Sequence, residues 1–184
     1  MSDGPLLRSV RAARRMLRDC HQWQRLVSAD TPWDEVTAEA HIHFDGLPPP
    51  DPGPDHSRSE LEALRPFALV WADQAGGLRL RSESAGNCCP IHSGAIVVQI
   101  ELPVLAGLAN DPTLLAEDIM RKLGRIVRTG DAAEPGLFEL SGLAGYLPLT
   151  EIQFTGYVRT DTKSAVEIGD AVVAEMRIAW GQDS

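Results

Sequence analysis

Ala171-Val172-Val173-Ala174-Glu175-Met176-Arg177-Ile178-Ala179-Trp180 decides how this chain is read. Val172, Ala174, Met176, Ile178 and Trp180 share one side of an extended backbone, and Val173, Glu175 and Arg177 share the other. That period of two predicts a strand with one strongly apolar face. Glu151–Arg159 carries the same signal, with Ile152, Phe154 and Val158 on one face. The polar stretch between them, RTDTKSAVEIGD, reads as an exposed connection.

The alternation begins much earlier in the chain. Pro66–Ala72 (PFALVWA) predicts a strand, Gly76-Gly77 a turn, and Leu78–Ser82 the returning strand of a hairpin. Ser93–Val104, with the β-branched run Ile96-Val97-Val98, predicts another strand.

Helical periodicity flanks these strands. Leu6, Val10, Ala13, Leu17 and Cys20 recur at spacings of 4, 3, 4 and 3, predicting one amphipathic helix over residues 5–28. Arg8, Arg11, Arg15 and Arg18 fall on its opposite side. Asp30 or Thr31 can cap a second, short helix that has Pro32 in its first turn and ends near Ala40, and His41–Asp45 alternates as a brief strand. Asp111 and Pro112 open another long helix, with Leu115, Ile119, Leu123 and Ile126 as its buried stripe. Arg121, Lys122, Arg125 and Arg128 lie towards its end, and Gly130 stops it. Residues 131–148 read as a Gly-rich connection whose apolar residues pack locally. Helices beside consecutive strands predict an α+β fold: a mostly antiparallel sheet of about four to five strands against two long helices, in one domain over residues 1–184. Residues 46–58, with five Pro and two Gly, predict an exposed loop.

Composition narrows the function classes. The 184 residues carry a net charge of −9, a poor match for wrapping DNA. The charge is uneven: residues 1–27 hold six Arg against Asp3 and Asp19, a local +4 that leaves −13 for the remainder. No apolar run is long enough to span a membrane, and the N-terminus lacks the apolar segment of a secretory leader. Three cysteines, Cys20, Cys88 and Cys89, form no disulfide framework and predict a reducing compartment.

Two strings suggest chemistry. His41-Ile42-His43-Phe44-Asp45 resembles the HxH segment of metal-dependent amidohydrolases, and two His at i and i+2 of a strand suit a divalent metal. That family is a (β/α)₈ barrel of at least about 200 residues, and here the only later histidines are His56 and His92. His41 and His43 are therefore minor candidates for a small metal-dependent hydrolase. Cys88-Cys89-Pro90-Ile91-His92 places thiols near an imidazole, without an orienting third group or oxyanion site in the sequence. No phosphate-binding glycine loop or GxSxG occurs. The reading is of a non-enzyme, with no catalytic residue, no metal and no cofactor.

The whole pattern resembles the tail terminator proteins of long-tailed bacteriophages and prophages. The pieces that carry the resemblance are the N-terminal amphipathic helix (Leu6–Val27), the strand and hairpin (Phe67–Arg81), the strand leading into a capped helix (Ala95–Arg128), and the terminal pair LTEIQFTGYV and DAVVAEMRIAWG. The resemblance implies a structural subunit of a homo-oligomeric, six-fold ring. The ring caps the tail tube, ends its polymerisation and joins the tail to the head connector, in the tail-neck region of the virion. It implies tube and connector or neck proteins as partners, DNA passing through without sequence-specific binding, and no membrane. Another head–tail neck protein or minor tail protein is the alternative. Candidate interface residues are Arg8, Arg11, Arg15 and Arg18, with Trp71, Arg79 and Arg81.

Overall fold

A computed structural model describes residues 4–28, 34–44, 65–73, 79–81, 91–103, 112–141, 143–159 and 171–181. Along the chain these form α1 (Pro5–Asp19), α2 (His21–Val27), α3 (Glu35–Ala40), β1 (Ile42–Phe44), β2 (Phe67–Ala72), β3 (Arg79–Arg81) and β4 (Ile91–Pro103), then α4 (Pro112–Val127), α5 (Leu137–Ser141), β5 (Leu149–Arg159) and β6 (Ala171–Gly181). The fold is α+β. The strands form a six-stranded sheet in the order β1-β2-β4-β6-β5, with β3 also on β4. Every pairing is antiparallel except β1 with β2, which is parallel.

β4 is the central strand. One edge pairs with β6 from Ser93 to Pro103. The other takes β2 at Ile96–Glu101 and β3 at Ile91–Ser93. The expected hairpin between residues 66–72 and 78–82 is therefore replaced by two strands sharing one edge of a longer one. The cross-strand neighbours explain the choice. On β4, Ala68 lies opposite Ile100 and Val70 opposite Val98. β3 offers a single Leu between two Arg.

The register puts alternate residues on a common face. Ala68 and Val70, Ile96, Val98, Ile100 and Leu102, and Ala174, Met176, Ile178 and Trp180 are all buried in one core. The helices cover this face with Val10, Ala13, Met16, Leu17, Leu123 and Ile126. On the opposite face Phe67, Val97 and Val173 are also buried, beside the buried Arg65 and Glu101, whose Nε and Oε2 lie 3.6 Å apart.

The single helix expected over 5–28 is broken. Cys20 adopts an extended conformation between α1 and α2. The break lets Trp23 become fully buried, with Nε1–H donating to Ala38 O at 3.2 Å. Gln24 compensates at the broken end, its amide donating to Arg18 O at 2.8 Å in place of a lost helical N–H. The cap of α3 also differs from expectation. Asp34 accepts from Val36 N (3.0 Å) and Thr37 N (3.2 Å), while Asp30, Thr31 and Pro32 lie outside the described residues.

Residues 131–148 contain α5, which the sequence reading missed. Glu139, third in this helix, accepts from Gly136 N at 3.0 Å, one half of a capping box. It also accepts from Gly130 N (2.9 Å) and Thr129 N (3.2 Å), joining the end of α4 to the start of α5. Leu137 and Leu140 enter the main core rather than packing only locally. Gly130 has φ +72°, consistent with its expected role as a stop after α4. The Pro-rich stretch 46–58, the Gly76-Gly77 turn, Asp111 and Cys88-Cys89 fall outside the described residues.

Two glycines should respond oppositely to the same change. A Cβ on Gly136 would meet Ile126 O at 2.9 Å and Arg125 O at 3.0 Å, and backbone there cannot yield easily. Gly136→Ala is expected to lower the unfolding free energy by about 1–3 kcal/mol. A Cβ on Gly124, inside α4, meets nothing within 4 Å. Gly124→Ala is expected to raise it by roughly 0.5–1 kcal/mol. Urea unfolding of both variants reads the two signs.

Candidate functional site

The basic face of α1 is smaller than its sequence suggests. Packing through Val10, Ala13, Met16 and Leu17 turns Arg8, Arg11 and Arg15 towards solvent. Arg14 is half-buried and pairs with Glu39 at 2.6 Å. Arg18 does not join the solvent face. Its Nε donates to Asp19 Oδ1 at 2.6 Å, a bond that holds its pKa above the ordinary value. Asp19 also accepts from Tyr146 Oη at 2.8 Å. The Arg18 charge is thus neutralised within the fold.

The remaining interface candidates lie elsewhere. Trp71 is an odd-numbered residue of β2, so its side chain is on the sheet face away from α1. In register it lies beside Val97, which lies beside Arg177, and Arg177 Nε donates to Asp73 Oδ2 at 2.6 Å. Arg79 and Arg81 sit on β3, opposite Ser93 and Ile91, and their side chains are outside the described residues. The α1 arginines and Trp71 therefore do not form one patch; the helix layer and the sheet separate them.

The two histidines also part company. His41 caps the end of α3 with ψ near 3°, and only His43 lies in β1. The i, i+2 strand geometry expected of the HxH string is not formed. His41 Nδ1–H donates to Pro66 O at 2.6 Å, and His41 O accepts from Ala68 N at 2.9 Å. His43 packs edge-on against Phe67, with ring centroids 6.3 Å apart. Among the described residues no group of three or more His, Cys, Asp or Glu is placed to hold a metal ion. Burial raises the Cys20 thiol to about 11, the opposite of an activated nucleophile.

Two features were not legible from the sequence. The first is an open cleft of about 220 Å³ between α2 and α4, lined by Gln22, Arg25, Leu26, Arg121, Lys122 and Arg125. Arg25 grips Glu134 in a two-point pair at 2.5 and 2.8 Å, and Gln22 reaches the same carboxylate at 3.4 Å. The arginines of α4 are periodic enough to share a face in any reading; that Arg25 comes to meet them follows only from packing. The second is the outer edge of β5, eleven residues long and without a strand partner among the described residues.

Among the described residues no helix is long and apolar enough to cross a membrane. No protein-family model matches the chain. Over 151 residues, 80% of its length, it is 27% identical to the propionyl-CoA carboxylase beta chain of Cereibacter sphaeroides. The aligned stretch spans 28% of that protein's length.

Acid should weaken the fold through its histidines. Burial lowers the pKa of His43, with Arg14 and His41 adding to it. Burial also lowers that of His21, where Arg25 adds and Glu134 opposes. An imidazole whose folded pKa lies below its unfolded value, about 6.5, takes up its proton first in the unfolded state. The stability it contributes is complete above that pH and declines as pH falls through and below it. Urea unfolding is expected to show a decrease between about pH 7 and 5.5, with a shallower slope for His43→Gln.

Proposed function

We propose that the chain is a tail terminator of a long-tailed phage or prophage: a subunit of a homo-oligomeric ring, six-fold by resemblance, that caps the tail tube and joins it to the head connector. The reading begins with the sequence pattern of amphipathic helix, central strands and terminal strand pair. The observation that carries it furthest is the outer edge of β5. A long strand edge is a template for pairing with another chain. The other end of the sheet is β1, three residues long and parallel to its neighbour. Unlike edges suit a heterologous contact, in which one patch meets a different patch; repeated, such a contact gives a ring when its rotation closes and a filament when it does not. Arg8, Arg11 and Arg15 supply a separate cationic surface for the acidic remainder of a neighbouring copy.

In this role the chain is not an enzyme and needs no catalytic residue, metal or cofactor. Its partners are other copies of itself, the tube protein and the connector, and DNA passes through the ring without sequence-specific contact. Its place is the tail-neck region of the virion. A different neck or minor tail protein would use the same surfaces with different partners. The likeness to the carboxylase beta chain favours a second reading, in which the chain handles propionyl-CoA. That reading expects propionyl-CoA to give a larger saturable rise in melting temperature than free coenzyme A; the ring reading expects the two to act alike.

Mass photometry and negative-stain microscopy over a concentration series, with and without tube protein, test the ring. Closed particles of about 120 kDa are expected, six times the 20.0 kDa chain. Gln153 and Thr155 are exposed on β5. The double variant Gln153→Lys/Thr155→Lys is expected to remain monomeric with little change in melting temperature. Monomers under every condition, tube protein included, would sink the reading.

A further inference from the structure

We propose that the cleft between α2 and α4 is a binding site for phosphate groups. Its described lining brings together four cations, Arg25, Arg121, Lys122 and Arg125, in a chain that has 26 acidic residues against 17 Lys and Arg. The proposal is independent of the ring reading.

Ordinary helix electrostatics accounts for only part of this arrangement. A helix C-terminus favours cations within its last turn, which covers Arg25 in α2 and Arg125 in α4. Arg121 and Lys122 lie a turn earlier. Glu117, one turn before Arg121, can support it along the helix. Against that, Arg121 and Arg125 are spaced i, i+4 and Lys122 and Arg125 i, i+3, so like charges crowd one helical face. α2 then adds Arg25 from across the cleft. Glu134 lies at the side of the cleft, held by Arg25 and Gln22.

The chemistry favours phosphate over a single carboxylate. A carboxylate brings one charge and a planar pair of oxygens. A phosphate or phosphoanhydride brings more charge and acceptors in several directions, matching donors that converge from two helices. The volume of about 220 Å³ leaves room for such a group with its waters. Two sources share this chemistry: the backbone of a nucleic acid and a small phosphorylated molecule.

Sodium pyrophosphate is the first probe, followed by thermal shift and calorimetry at constant ionic strength. The melting temperature of the wild-type chain is expected to rise saturably. Arg125→Gln and Lys122→Gln are each expected to weaken binding about tenfold, and Arg121→Gln/Arg125→Gln to abolish it. These side chains are exposed or half-buried, and the unliganded melting temperature of each variant, with its circular dichroism spectrum, establishes that it folds. Arg8→Gln/Arg15→Gln, on the exposed face of α1, is expected to bind as the wild type does. A single-stranded oligonucleotide then separates the sources. Binding with a log–log salt slope of about −0.7 per phosphate contacted assigns a nucleic-acid backbone; binding of pyrophosphate alone assigns a small ligand. No response to about 10 mM pyrophosphate, or equal responses from wild type and the α4 double variant, would overturn the proposal.

Discussion

The structure depends on β4 being paired along both edges. One edge is shared by β2 and β3, and the other is taken by eleven residues of β6. A slip of one residue in either register would turn Ile96, Val98 and Ile100 away from their partners and put Glu101 into the helix-facing core. The pairing is held because both neighbours alternate in phase with β4. Val70, Val98 and Met176 form one row across three strands, and Ala68, Ile100 and Ala174 form the next. The helices dock on the apolar surface that these rows create.

That docking explains the irregular parts of the helical layer. A straight helix over 5–28 would carry its second half away from α3. The turn at Cys20 brings Trp23 against Ala38, and Gln24 takes up a carbonyl that the turn leaves without its helical donor. Glu139 serves similarly between α4 and α5. Burial alone would raise its pKa, but the N–H groups of Gly130, Thr129 and Gly136 favour the charged form and bring it below the ordinary value. In both places a polar side chain satisfies backbone groups that the chain's path leaves without a helical partner. The buried Arg65 and Glu101 face the other way, on the side of the sheet opposite the helices. Removing one partner of such a pair leaves a buried charge and is far more costly than removing an exposed pair.

The surfaces available for function follow from the same layering. The α1 arginines lie on the outer side of the helices and Trp71 lies beyond the sheet, so a partner touching both must wrap around an edge or come as two copies. The long outer edge of β5 lies at one end of the sheet. The α2–α4 cleft belongs to the helical layer, where three cations of one helix meet Arg25 of another.

The strands were legible because alternation is a local signal that burial reinforces: residues 67–72, 91–103, 149–159 and 171–181 all lie within or around the predicted runs. The apolar stripe of α1 was legible for the same reason, and so were Leu123 and Ile126 of α4; the side chains of Leu115 and Ile119 fall outside the described residues. The β2–β3 hairpin was misread because nearness in sequence stood in for pairing preference, whereas β4 offered better cross-strand partners. The helix break at Cys20 left no glycine or proline to mark it, and α5 was too short for its periodicity to stand out. Of the candidate interface, the outward direction of Arg8, Arg11 and Arg15 follows from helical spacing alone. The neutralisation of Arg18 by Asp19, the separation of Trp71 from α1, and the meeting of Arg25 with Arg121, Lys122 and Arg125 do not. The sequence by itself determined which residues share a face of each element, because backbone geometry repeats every 2 or 3.6 residues. Only the tertiary structure decided which faces and edges meet, because those choices depend on contacts between residues far apart in the chain.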